Sequence, residues 1–107
     1  MEKHIGLGLL NDYYGALLTS HQSEMIRLYY DMDLSLAEIA DQYNITRQGV
    51  REVLLRSQKK LEEYELKLGL VGKIAHISTQ LDAVISECKD ATVSAKIQEI
   101  LREVKEI

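Results

Sequence analysis

Apolar positions in this chain recur at three- and four-residue intervals, the spacing of one face of an α-helix. Leu10, Tyr13, Tyr14, Leu17 and Leu18 predict a first helix from about Leu7 to Leu18, weakened only locally by Gly15. Thr19-Ser20-His21-Gln22 then offers a capping box before Met25, Ile26, Leu28, Tyr29 and Tyr30, which predicts a second helix to about Tyr30. Asp31-Met32-Asp33 interrupts the pattern, and Ser35-Leu36-Ala37-Glu38 is a second capping box that starts a short third helix ending near Tyr43. Asn44 stands at the following sharp turn, being one of the few residues besides glycine that tolerate a left-handed backbone. Thr46 can cap a fourth helix with Val50, Val53, Leu54, Leu61, Tyr64 and Leu68 on one side; no strong stop precedes Gly69, so some 20 residues are expected.

Beyond Gly69 the apolar positions narrow into seams. Leu70, Ile74, Ile77, Leu81, Val84 and Cys88 alternate spacings of four and three, and Val93, Ile97, Ile100, Val104 and Ile107 do the same. Lys89-Asp90-Ala91-Thr92 separates the two runs, so a helical hairpin is predicted, its seams facing each other, the body of the domain or a second chain. Gly72 leaves the start of that hairpin the least defined boundary.

Composition agrees with an all-α reading. The 107 residues contain no Pro, Trp or Phe, with 46% apolar and 28% charged side chains, which suits helices and short turns and lacks a β-rich signature. The length fits one all-helical domain, with a core over residues 7–68 and the hairpin over 69–107. No apolar run approaches a membrane span, so a cytoplasmic protein without a membrane partner is expected.

Cys88 is the only cysteine, which excludes an internal disulfide and reads as a small core residue. His4, His21 and His76 are too far apart for a local metal site and suit surface or capping roles. Gly6-Leu7-Gly8 lacks the preceding strand and third glycine of a nucleotide loop. With no clustered Ser, His and Asp either, an enzyme is not expected, nor is a cofactor; Tyr13-Tyr14 and Tyr29-Tyr30 read as core and rim.

Between Leu36 and Leu54, Ala40 permits close helix approach, and Ile39, Tyr43, Ile45, Val50 and Val53 supply apolar contacts. This pattern resembles a helix-turn-helix whose recognition helix follows Thr46. The longer run LSLAEIADQYNITRQGVREVLLRSQKKLEEYE is similar to region four of bacterial sigma factors, a fold without a wing, with Asn44 where many turns have Gly. The flanking DYYGALLTSHQSEMIRLYYDMDLSLAEIA and KKLEEYELKLGL extend the likeness, so that Leu10 to about Leu70 resembles the YlxM family of small helix-turn-helix proteins. That resemblance implies a regulatory role in the signal recognition particle pathway, because members are encoded beside the particle's GTPase genes. The C-terminal hairpin shares only helical character with that family.

Charge is unevenly placed along a chain whose formal total is −4. Residues 44–60 carry five cations against Glu52 alone, a balance of +4; residues 1–43 carry two against seven anions, or −5, and residues 61–107 six against nine, or −3. Phosphate neutralisation and base contacts from the start of a recognition helix both need this concentration. Thr46, Arg47, Gln48 and Arg51 occupy that start; Arg47 or Arg51 suits guanine and Gln48 adenine, while Ser35, Arg56 and Lys59 suit phosphates. One such helix makes a half-site, so a homodimer built through the heptad seams is expected. Two partners remain open: duplex DNA, and the protein or RNA of the signal recognition particle; the acidic flanks would suit a basic protein partner better than DNA. In the bland alternative the basic residues form a solvated face partly paired with Glu52, Glu62, Glu63 and Glu65.

Overall fold

The computed structural model describes residues 5–107, all of whose regular structure is helical. His4 lies outside the described residues. The elements are α1 (Ile5–Tyr14), a 3₁₀ turn (Gly15–Leu17), α2 (Ser20–Ile26), a π turn (Arg27–Asp31), α3 (Leu36–Tyr43), α4 (Arg47–Leu68), α5 (Leu70–Glu87) and α6 (Ala91–Lys105). Packing divides them into two compact units, one ending at Leu68 and one comprising Gly69–Ile107.

In the first unit α4 packs against α1, α2 and α3, and its wholly buried face is Val50, Leu54, Ser57 and Leu61. Leu7, Tyr14, Leu18, Met25, Ile26 and Ile39 complete the core, each large side chain contributing about 1.5–3 kcal/mol by leaving water. Ser57 is tolerated there because its hydroxyl donates to the Val53 carbonyl at 2.7 Å. Two long-range contacts fix the C-terminal half of α4 to the start of the chain. The Tyr14 hydroxyl donates to Glu65 Oε1 at 2.5 Å, and the Tyr64 hydroxyl donates to the Leu17 carbonyl at 3.5 Å.

The helix boundaries differ from the periodic reading in two places. The first helix gives way to a 3₁₀ turn at Gly15, where a Cβ would lie 2.8 Å from both Asn11 Oδ1 and Ser23 Oγ. That close approach lets Asn11 Nδ2 donate to the Ser23 carbonyl while Ser23 Oγ donates to Asn11 Oδ1, both at 3.1 Å, tying α1 to α2; Leu17 is left exposed. The second helix widens to a π turn from Arg27, closed by Met32 N–H donating to the Arg27 carbonyl at 3.0 Å. Asp33 then takes a left-handed φ of 56°. Gly6, Leu7 and Gly8 lie inside α1 rather than in a loop.

Tyr30 follows the π turn's geometry, and its hydroxyl is buried without a partner, its pKa pushed up to about 12 chiefly by burial. Because an unpaired buried hydroxyl costs free energy that a ring C–H does not, Tyr30→Phe is expected to stabilise the fold by about 0.5–1 kcal/mol in urea denaturation. A loss of that size would show that the hydroxyl has a stabilising partner.

In the second unit, α5 and α6 form an antiparallel hairpin around the turn Cys88–Asp90, where Asp90 Oδ1 accepts from Thr92 N and Val93 N at 2.9 and 3.2 Å. Gly69, left-handed at φ 63°, separates α5 from the preceding helix, and Gly72 sits inside the first turn of α5. The internal seam is formed by Val71, Ile74, Ser78, Leu81, Ile85 and Cys88 against Ser94, Ile97, Leu101 and Val104. This corrects the predicted seams: Ile74, Leu81, Cys88, Ile97 and Val104 belong to it, while Leu70, Ile77, Val84, Val93, Ile100 and Ile107 are exposed. Cys88 is half-buried at the end of α5 rather than in a core, its thiol donating to the Asp90 carbonyl at 3.5 Å.

Candidate nucleic-acid interface

The junction between α3 and α4 is built by local hydrogen bonds. Ser35 caps α3 reciprocally with Glu38: Ser35 Oγ accepts from Glu38 N, and Ser35 N donates to Glu38 Oε1, each at 3.1 Å. Thr19 and Gln22 do the same for α2. At the far end of α3, Asn44 adopts φ 54° and ψ 46°, and Ile45 N donates to the Ala40 carbonyl at 3.0 Å, a Schellman closure. Thr46 Oγ1 accepts from Gly49 N at 2.9 Å and opens α4. Three residues therefore reverse the chain between the two helices, with Ile39, Ala40 and Val50 buried beneath the turn.

Asn44 is the conformational pivot, and substitutions there separate backbone from side chain. Asn44→Gly is expected to leave stability within about 0.5 kcal/mol of the parent, and Asn44→Val to cost about 1–2 kcal/mol or more, because a β-branched residue is poorly tolerated in a left-handed conformation. Urea denaturation of the two variants checks this; equal loss from both would assign the role to the amide side chain.

The buried side of α4 fixes what faces outward. Opposite Val50, Leu54, Ser57 and Leu61 lie Gln48, Arg51, Leu55, Arg56 and Lys59, all exposed. Arg47 stands at the edge of this face and, with Thr46, borders a shallow hollow lined by Ala37, Ala40, Asp41 and Ile45. Among the described residues none of Arg47, Arg51, Arg56 and Lys59 is held in an ion pair with a glutamate of α4; Gln58 is the residue that reaches Glu62, donating at 3.1 Å. Arg56 Nε donates weakly to the Glu52 carbonyl at 3.5 Å. The structure thus brings Thr46, Arg47, Gln48 and Arg51 together in the first turns of α4, with Arg56 and Lys59 following on the same outer side.

Ser35 is placed separately, at the start of α3, and its oxygen is already engaged in the cap, leaving its proton to donate. Leu55, 41% exposed, joins the outer face and was not singled out in the sequence; its spacing of four from Arg51 and seven from Gln48 carries that information. Ile45 is exposed at the turn instead of serving the core. His21 stacks on Tyr43 with ring centroids 4.5 Å apart, a surface contact between α2 and α3. Asp12 of α1 is held above the usual carboxylate range by burial and by the nearby charge of Asp31 in the π turn.

Comparison with known proteins agrees with this geometry. Residues 1–104 match the family UPF0122, described as "Putative helix-turn-helix protein, YlxM / p13 like". A UPF0122 protein of Desulforamulus reducens is 52% identical over 86 residues, covering 80% of this chain and 74% of the relative. One from a Thermoanaerobacter species is 42% identical over 106 residues, covering 92% and 91%, and one from Acetivibrio thermocellus 38% identical over 109 residues, covering 99% and 93%. No helix among the described residues is long and apolar enough to cross a membrane.

Proposed function

The chain belongs to the YlxM / p13-like helix-turn-helix family, and from that premise we propose that it is a regulatory protein that binds duplex DNA through the start of α4. The observation that carries this reading is the outward face of α4, whose cations are free of ion pairs with neighbouring glutamates and rest on a turn fixed by Asn44 and Thr46. Arg47 and Arg51 are assigned to guanine edges, Gln48 to adenine, and Leu55 to a thymine methyl. Arg56, Lys59 and the Ser35 hydroxyl are assigned to phosphates on either side of the groove. The binding unit is a homodimer, whose two α4 helices would meet successive major grooves about 34 Å apart.

A second reading is favoured by the charge distribution. Segments of −5 and −3 surround a +4 segment, and acidic surface suits a basic protein better than a phosphate backbone. Together with the family resemblance, this makes the signal recognition particle, through its protein rather than its RNA, the alternative partner. One experiment separates the two: the purified chain is offered duplex DNA from upstream of its own gene and the intact particle, each at several salt concentrations. DNA binding that weakens steeply with salt supports the first reading. Association with the particle, or a change in its GTP hydrolysis, without duplex binding would replace it with the second.

A further inference from the structure

The hairpin carries a second apolar seam that its own packing leaves uncovered. Leu70, Ile77 and Val84 on α5, Val93 and Ile100 on α6, and Ile107 just beyond the end of α6 recur every seven residues and are 37% to 69% exposed. On both helices the stripe is rotated in the same sense from the internal seam: Leu70, Ile77 and Val84 each precede Val71, Ser78 and Ile85, and Val93 and Ile100 each precede Ser94 and Leu101. In an antiparallel pair, equal rotation brings equivalent positions to one side, so the two stripes share a face. The opposite side of the hairpin presents Ala75, Asp82, Gln98 and Lys105 and is not apolar. Five large apolar side chains on one side of an 18-residue and a 15-residue helix, continued by Ile107 just beyond the second, form a patch too extended to be scattered surface residues.

We propose that this face is the dimer interface, occupied by the same face of a second copy, so that two hairpins form an antiparallel four-helix bundle. The charges bordering the stripes identify the occupant. Lys73, Gln80 and Glu87 edge the α5 stripe, and Lys96 and Glu103 edge that of α6; all are exposed. Because the chain reverses at Cys88–Asp90, Gln80 and Glu99 lie at about the same height along the hairpin. Lys73 and Glu87 stand seven residues to either side of Gln80, and Lys96 and Glu103 three and four residues to either side of Glu99. A two-fold axis crossing the face at that height therefore sets Lys73 against Glu87 of the second copy and Lys96 against Glu103, each pair formed twice. Self-complementarity about one level is what an isologous interface requires, whereas an unrelated partner gives no reason for the signs to reverse there. With helices roughly 27 and 22 Å long lying side by side, the face is of the order of the about 800 Å² per partner of a standard interface.

The inference deepens the homodimer of the proposed function and rests on that reading only for its use, since its test needs no nucleic acid. Sedimentation equilibrium of the full chain is expected to give twice the 12.2 kDa chain mass. Ile100→Glu and Ile77→Glu, both at exposed positions, are expected to give monomers with unchanged helical circular dichroism. Lys96→Glu and Glu103→Lys should each weaken self-association about tenfold by setting like charges opposite one another. Mixing those two variants should restore association, because every cross-chain pair is then complementary; within one chain the two sites are too far apart to compensate. A monomeric parent at roughly 100 μM, or a dimer indifferent to Ile77→Glu and Ile100→Glu, overturns the interface. Failure of the mixture to recover overturns its antiparallel register. A dimer that forms as described yet binds no duplex overturns the DNA reading alone.

Discussion

Leu54→Ala is expected to destabilise the first unit by about 2–5 kcal/mol, enough to bring a small domain to the edge of unfolding. Leu54 is 0% exposed on the face of α4 that packs against α1, α2 and α3, so truncation removes buried methyl groups and leaves a cavity with limited means of collapse. Its neighbour provides the control. Leu55 is 41% exposed, and Leu55→Ala is expected to change stability by no more than about 0.5 kcal/mol. Urea denaturation of both variants checks the orientation of α4 directly, since a helix rotated by one position would exchange the two outcomes. If Leu55 contacts a thymine methyl, its truncation should instead weaken duplex binding severalfold, which separates stability from recognition at adjacent residues.

The second large effect concerns affinity. The double variant Arg47→Ala, Arg51→Ala is expected to retain its helical content and melting behaviour, because both side chains are exposed and neither is held in an ion pair. Its duplex affinity should fall at least about 30-fold, since each of the two lost base contacts is worth about 1–3 kcal/mol, with a relaxed sequence preference. Lys59→Ala should behave differently. It removes a charge assigned to phosphate, so binding should weaken uniformly across sequences and the salt slope should decrease. Electrophoretic mobility shifts with specific and shuffled duplexes distinguish these patterns.

The parts of the structure legible in the sequence are those set by interactions over three or four residues. Thr19 with Gln22, Ser35 with Glu38, and Thr46 with Gly49 hold the helix starts that the capping patterns implied, and Asn44 takes the left-handed conformation for which few residues are suited. The all-helical architecture follows the same periodicity. The π turn at Arg27–Asp31 and the left-handed Asp33 were not legible, because Leu28, Tyr29 and Tyr30 fit a helix of ordinary pitch equally well. At Gly15 the deciding contact comes from Ser23, in another helix, and a residue's own neighbours do not announce it.

The hairpin shows a different limit. Sequence spacing picks out the series through Leu70, Ile77 and Val84 but not the one through Val71, Ser78 and Ile85, where Ser78 interrupts the apolar pattern. The structure assigns Val71, Ser78, Ile85 and Leu101 to the inside, in place of Leu70, Ile77, Val84 and Ile100. At the candidate interface, the basic concentration on α4 was readable from charge and the Ser35 cap from its pattern, whereas the outward position of Leu55 required coordinates.

The central claim is that α4 binds duplex DNA, and its salt dependence is the most direct measurement. Fluorescence anisotropy on a labelled duplex from upstream of the gene, between about 50 and 200 mM salt, is expected to give log K falling linearly with log salt. With Arg56 and Lys59 on phosphates in each of two chains, the slope should be about −3.6, from about −0.9 per neutralised phosphate. No duplex binding at about 50 mM salt, or binding indifferent both to salt and to the Arg47→Ala, Arg51→Ala variant, would contradict the account.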